Sequence, residues 1–286
     1  NFTLIGPAII FSLNEEDLTI NIDEYKSGEI IKSYNFLEPR FSANYLLTES
    51  SSLKLGYARN TQNIHLLSTS TTSTPLDIWQ PSTATIKPQV SDLFSIGYFK
   101  NFYENKYSAS FELYYKDMRN LIEYKNGADI FVNEFIESQL VFGNGWSYGA
   151  ELYIERKLGK FTGWLSYTLS TTQRKFNEIN NGNPFPARQD RTHDVSIVGM
   201  YNLTDNWVLS ANWVYYSGLA VTYPAGKYSI DGLTINLYTD RNAQRFPDYH
   251  RLDIGATYYF KKTAKNEMSI CLLYTSDAAD EEDSVD

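Results

Sequence analysis

The chain has 286 residues, with 25 Lys and Arg against 34 Asp and Glu and a formal net charge of −9. Phosphate recognition needs basic residues clustered on one face, and no such cluster stands out in the sequence, which argues against a nucleic-acid binder. No stretch approaches the run of about eighteen apolar residues that a membrane-crossing helix requires, which excludes a helical membrane protein.

Aromatic residues make up 15% of the chain, with 23 Tyr, 16 Phe and 5 Trp, and Tyr and Trp gather at membrane-water interfaces. The mean hydropathy of −0.39 is compatible with a β-wall that shows only alternate residues to lipid. Periodicity therefore carries the fold expectation. Taken in chain order, period-two alternation predicts strands over Phe41–Leu47, Leu53–Tyr57 and, with more interruptions, Phe94–Tyr98. It continues over Tyr107–Tyr115 and is clearest from Trp146, where Trp146, Tyr148, Ala150, Leu152 and Ile154 share one face. Ser147, Gly149, Glu151, Tyr153 and Glu155 share the other. Phe161, Leu165, Tyr167 and Leu169 alternate with Thr162, Trp164, Ser166 and Thr168. Val195–Leu203 follows, then Trp207–Tyr215 with interruptions, and finally Leu252, Ile254, Ala256, Tyr258 and Phe260 alternating with Arg251, Asp253, Gly255, Thr257 and Tyr259.

The connections alternate too. Short turns are expected at Thr48–Ser52, Tyr103–Lys106, Lys157–Lys160 and Leu203–Asn206. Long polar loops are expected over about 60–90, 125–140, 176–189 and 218–248, far beyond the usual two to five residues of a hairpin loop. One loop contains STSTTSTPLD, a solvated Ser/Thr-rich stretch, and another carries the turn signal NGN at Asn181–Asn183. A soluble sandwich has no reason to keep its long loops at one end, whereas an outer-membrane barrel has short periplasmic turns and long extracellular loops.

Six acids, Asp277, Asp280, Glu281, Glu282, Asp283 and Asp286, crowd the last ten residues, so the net charge says little about partners. The only cysteine, Cys271, opens CLLYTSDAADE, which resembles the conceptual translation of a sequencing adaptor. Residues 271–286 are therefore expected to be a non-native, disordered tail on a natural protein that continues beyond Ile270. Asn1 is not a methionine and no leader-like segment follows it, so the chain reads as a middle piece.

Several segments together resemble the C-terminal barrel of TonB-dependent receptors, particularly those common in the Bacteroidetes: LEPRFSANY at Leu37, IKPQVSDLFSIGY at Ile86, YGAELYIERKLGKFTGWLSYTLS at Tyr148, FPARQDRTHDVSI at Phe185 and YHRLDIGATYYF at Tyr249. The resemblance covers most of Leu37 to Ile270. It implies an all-β, antiparallel transmembrane β-barrel of twenty-two strands in the parent, with an N-terminal plug and a TonB-box segment outside this chain. Residues 1–270 would form a partial barrel of about ten or eleven strands. The final, insertion-signalling strand would be missing.

No chemistry-bearing constellation competes with this reading. His65, His193 and His250 lack the companions of a metal motif, and no Ser, His and acid set points to a catalytic site. Glu112, Glu151 and Glu155 fall on the polar phase, as does the ion pair expected between Arg251 and Asp253; both suit a lumen wall. The ARQDRTHD segment, Ala187–Asp194, is either an anion-contacting rim or a loop base in which Arg188, Asp190, Arg191 and Asp194 pair with one another. Trp79, Tyr223, Tyr228 and Tyr238 lie in long loops, where their rings can stack on a ligand or cover the loop.

The resemblance implies active import with no cofactor and no catalysis. Its partners are the TonB system acting through the plug region, a small-molecule or oligomeric nutrient, and outer-membrane lipid. Siderophores, vitamin B12, oligosaccharides and peptides all stay open as ligands. Trp79, Arg188, Arg191, Tyr223 and Tyr238 are the expected anchors, since aromatic and arginine side chains dominate mapped binding hot spots. The alternative is a passive porin-like wall, or an adhesive or soluble β-sheet protein displaying the same loops.

Overall fold

The computed structural model describes residues 2–13, 20–67, 77–128, 136–230, 233–262 and 267–277. Ten long strands form a meander: β1 (Arg40–Thr48), β2 (Ser51–Gln62), β3 (Gln89–Phe102), β4 (Tyr107–Tyr124), β5 (Leu140–Arg156), β6 (Phe161–Phe176), β7 (His193–Asn202), β8 (Trp207–Tyr216), β9 (Tyr249–Lys262) and β10 (Glu267–Asp277). With the two-residue Phe185–Pro186 segment on the flank of β6 they make one antiparallel sheet of eleven strands. Each strand pairs with its neighbour in sequence, and β1 and β10 are the edges, so the wall does not close. All nine segments read from alternation fall on these strands, with only Leu203 lying past a strand end, in the turn after β7.

Register turns the alternation into two faces. Leu55, Ile96, Leu113 and Ala150 are cross-strand neighbours, as are Trp213 and Leu252. They share one face, from which Ile96, Leu113, Ile154, Leu169, Ile254 and Phe260 project with more than a third of their surface bare. That much uncovered apolar surface fits hydrocarbon surroundings, not water. The opposite face carries Ser95, Glu112, Glu151, Ser166, Ser196, Ser210 and Asp253. Glu112 lies directly opposite Glu151.

Aromatic residues bound the apolar band. Tyr57, Phe94, Tyr115 and Tyr148 line up across four strands on the apolar face. Toward the short turns Phe102 stacks on Tyr107 at 5.8 Å, and Trp207 meets Tyr258 at 4.9 Å. The rows marked by Phe94 and Phe102 lie eight residues apart on β3, about 26 Å along an extended strand, which tilt brings down to about 20 Å of height. This is close to the roughly 25 Å apolar belt of barrels that cross a bilayer. Just beyond the upper row the apolar phase ends in an ion cluster. Asp92 takes Arg59 Nε at 2.7 Å and Nη2 at 2.9 Å, the Tyr57 hydroxyl at 2.8 Å, and Arg119.

The pairing slips by a residue near the short-turn ends of β1 and β9, and near the tip of β4 such a slip inverts the phase at the loop end. The pairing of β4 with β5 shifts register between Met118 and Leu121, and Asn120 holds φ at 56°, a conformation that Asn tolerates better than most residues. A bulge of this kind moves every later side chain to the other face. Leu121 and Glu123 thus turn inward, where unbroken alternation would have pointed them out.

Short connections and long connections segregate as expected, with turns at Glu49–Ser50, Tyr103–Lys106, Lys157–Lys160 and Leu203–Asn206 at one end. At the other end the long loops are more regular than polar composition suggests. One holds the hairpin Ile64–Leu67 with Ile78–Pro81; another holds Pro224–Ile230 with Leu233–Tyr238, and below it Ala220–Val221 pairs with Gln244–Arg245. Most of the Ser/Thr-rich stretch lies outside the described residues. The N-terminal region, for which alternation gave no expectation, pairs Phe2–Ile5 with Ile30–Tyr34 and Ala8–Leu13 with Ile20–Tyr25.

One expectation is corrected. Cys271–Asp277 is not disordered but completes β10, with Tyr274 opposite Ile254 and Leu272 opposite Ala256. The free edge of β9 offers a row of unpaired N–H and C=O groups that any strand-compatible segment satisfies. The Ser276 hydroxyl adds bonds to both the N–H and the carbonyl of Leu252, at 3.1 and 3.0 Å. Residues 278–286 lie outside the described residues.

Candidate functional site

Glu123, carried inward by the β4 bulge, is only 8% exposed, and a buried carboxylate persists only when paired. Three guanidinium groups converge on it. Arg174 of β6 donates at 3.1 Å, Arg188 at 3.5 Å and Arg241 at 3.3 Å. Arg241 also donates to the Tyr124 carbonyl at 3.2 Å and to Asn126 Oδ1 at 2.8 Å. Asn180 brackets the Arg241 backbone, accepting its N–H at 2.8 Å and donating to its carbonyl at 3.2 Å. Burial pulls the Arg241 guanidinium below its ordinary pKa and Arg188 adds to the pull, while Glu123 opposes it; an arginine stays charged regardless.

A second brace lies beside the first. Asp190, 2% exposed, takes the Thr172 N–H at 2.5 Å and pairs with Arg245. Arg245 further donates to the carbonyls of Asp190 and Gly218, each at 3.0 Å. Gly218 is required here, since a Cβ would sit 1.7 Å from the Phe246 carbonyl oxygen. Below both braces Phe176, Ile179, Phe185, Leu121 and Val141 form an apolar cluster. These contacts tie the tip of β4, the loop after β6 and the loop after β8 together.

Between them opens a cavity of about 750 Å³, lined by Glu123, Asn126, Glu178, Asn181, Arg188, Tyr238, Asp240, Arg241 and Phe246 among others. That size is in the range of small-molecule sites.

Of the five anchors expected from sequence, Arg188 and Tyr238 line this cavity. Tyr223 stands edge-on to Phe246 at 5.9 Å, one residue back from the lining. Arg191 places its guanidinium carbon over the Tyr216 ring at 3.9 Å, and Trp79, 66% exposed on its hairpin, is not part of the lining. The ARQDRTHD segment does not pair within itself: Arg188 goes to Glu123, and Asp190 to Arg245. Its charges meet partners outside the segment, on β4, β8 and the loop after β8, as its backbone turns at Ala187–Asp190. Arg251 and Asp253 form the expected pair at 2.8 Å on the inner face. Glu123, Asn180, Arg241 and Phe246 were not singled out from sequence. The doublet Leu121–Ile122, breaking alternation after Asn120, is the one local signal that could have exposed Glu123.

The chain matches the family model described as TonB dependent receptor-like, beta-barrel, over residues 16–269. No curated protein sequence matches it. Among solved structures it is similar to the ferric-catecholate import receptor Fiu from E. coli K12, with TM-score 0.55 and 17% identity over 83% of this chain and 31% of that one. It is also similar to the ferripyoverdine receptor of the outer membrane of Pseudomonas aeruginosa, with TM-score 0.52 and 12% identity over 84% and 28%. At such identities the likeness is one of fold, and the chain spans less than a third of either receptor.

Proposed function

The chain belongs to the TonB-dependent receptor β-barrel family, and from that premise we propose that it forms part of the wall of an outer-membrane importer that captures a scarce nutrient at its long-loop end. The short turns face the periplasm, the loops face the outside, and the apolar face meets lipid. Passage inward is driven by TonB acting on a plug held against the polar inner face. Binding and gating are the mechanism, with no bond made or broken. The observation that supports this reading is the loop-end cavity, braced by the buried Glu123 cluster at the only end of the wall with enough irregular chain to shape a pocket. A passive porin would need no such braced recognition surface.

The test is binding and uptake by the full-length receptor carrying single alanines. Replacing a loop anchor, Tyr238 or Tyr223, is expected to weaken binding by about tenfold to a thousandfold, about 1 to 4 kcal/mol. Asp205→Ala in a periplasmic turn should leave it unchanged. Equal loss from both sets, or uptake that persists without TonB, would overturn the proposal.

A further inference from the structure

We infer that the outer face of the wall carries a discrete site for one lipid of the leaflet on the loop side, a phosphorylated, acylated lipid with the chemistry of lipid A. The inference goes beyond the import reading and takes from it only which face meets lipid and which end lies outside.

Two features of the outer phase meet on β2, β3 and β4. The upper one is the ion cluster. Asp92, its side chain 9% exposed, holds Arg59 of β2 on one side and Arg119 of β4 on the other. Arg59 donates Nε and Nη2 to it, while Arg119 donates through Nη2 and turns its Nε toward Asp117 at 3.4 Å. Each guanidinium has N–H donors left over, on side chains 36% and 44% exposed. One arginine would neutralise Asp92. The buried carboxylate instead keeps two guanidinium groups side by side that would otherwise repel, and paired forks of this kind suit the oxygens of a phosphate. With Asp117 the four charges sum to zero, so selection rests on fixed donors and not on a net field.

The lower feature is apolar. Tyr57, Phe94 and Tyr115 stand in register, with Leu55, Ile96 and Leu113 in the next outward-facing row toward the short turns. Between the rows runs a groove of about 460 Å³. Tyr57 belongs to both features, since it lines the groove and donates its hydroxyl to Asp92 at 2.8 Å. Arg59 is two residues beyond Tyr57, about 7 Å along the strand, so a phosphate on the guanidinium pair and the hydrocarbon attached to it fit one molecule. A free phosphate would leave the groove empty, and a plain hydrocarbon would leave the donors unused. Along the row of Asp92 and Asp117, β5 and β6 offer Trp146 and Gln173 in place of charge. The site is therefore local to β2, β3 and β4 and not a property of the whole belt.

The experiment is native mass spectrometry of the purified full-length receptor in detergent, titrated with diphosphoryl, monophosphoryl and dephosphorylated lipid A, with inorganic phosphate as competitor. Diphosphoryl lipid A should bind as a discrete adduct, and the dephosphorylated form about tenfold or more weakly. Arg119→Gln should weaken diphosphoryl binding by about tenfold, and so should Arg119→Lys, which keeps the charge but loses the fork. Asp92 keeps both bonds from Arg59 in either variant, so the barrel should retain its heat-modifiable migration. Ile96→Trp, which fills the groove without touching the ion cluster, should also weaken binding. Arg156→Gln, on the same phase but beside Tyr107 and Phe161 at the short-turn end, should leave it unchanged. Equal binding of the dephosphorylated lipid, unaltered binding by Arg119→Gln or by Ile96→Trp, or complete displacement by inorganic phosphate would each overturn the inference. The import reading is decided separately, by TonB-dependent uptake.

Discussion

On the outer face of the wall Leu113 leaves 44% of its surface bare, Ile254 50% and Leu272 68%, whereas at the long-loop end Phe176 is 1% exposed and Ile86 and Ile179 are fully covered. Among the described residues, every fully buried large side chain belongs to the loops or to strand tips that meet them: Phe176, Ile86, Ile179, His65 and Pro88. The middle of the wall holds no comparable core. Its strands are fixed by ladder hydrogen bonds, and its apolar side chains project outward uncovered, as they would toward the lipid of the proposed setting, where backbone groups must all be satisfied internally. The loops stand in water and must build a core of their own. One chain thus follows two solvent rules, and the change of rule coincides with the Asp92 ion cluster and the β4 bulge.

The largest expected effect comes from treating the loop end as a water-soluble core. Phe176→Ala removes a ring at 6.0 Å from Phe185 within the cluster of Leu121, Val141 and Ile179. It should cost about 3 to 5 kcal/mol of local stability. Limited proteolysis should then cut the loops after β6 and β8 while the barrel still migrates as a folded, heat-modifiable species. Loss of that migration would show that loop end and wall unfold as one unit, which removes the contrast.

The converse test places a charge on the wall. Ile254 lies four residues from both His250 and Tyr258 on the outer phase of β9, near the middle of the apolar band. Ile254→Arg should destabilise the barrel by about 2 to 4 kcal/mol, measured by denaturant titration in lipid vesicles, whereas Asp253→Asn on the inner face of the same strand should cost far less. A lipid-soluble maleimide should label a cysteine at 254, and only a water-soluble one should reach 253. The reverse labelling would invert both faces.

The wall was legible in sequence because each side chain there reports its own surroundings: Leu252 to Phe260 alternate since the two faces of the sheet alternate. The cavity was not, because its groups lie far apart in the chain. Arg241 meets Glu123 across 118 positions, and nothing local to either residue announces the pairing. Arg188 was singled out for a good reason, its chemistry toward anions, yet the structure shows an internal carboxylate already holding it. Tyr238 was reached from its type and loop position alone, and the structure places it on the cavity lining. The bulge at Asn120 is the case between, since it is written in a local break of phase but read only once the partner strand is known.

The smallest effect expected is a pH response confined to the loop end. His65 is 1% exposed, shares a hydrogen bond with Ser82 Oγ at 3.0 Å through Nε2, and has no partner for Nδ1 among the described residues. Burial lowers its pKa below the ordinary 6.5, so the folded hairpin holds the neutral ring while the opened hairpin binds a proton more readily. Stability from this site is therefore fully present above pH 6.5 and is lost as pH falls through that value toward the lowered one, by at most about 1.4 kcal/mol per pH unit. Ile64–Leu67 and its partner Ile78–Pro81 should open faster on acidification to pH 5, seen as an increase in amide exchange beyond the intrinsic change and normalised to β5, whose protection should hold. Replacing the ring by one that cannot titrate, His65→Phe, should flatten the response even where it shifts the baseline. If the pH dependence survives that substitution, the hairpin is responding to another group, and the buried histidine is only filling space between Ser82 and the strand beneath it.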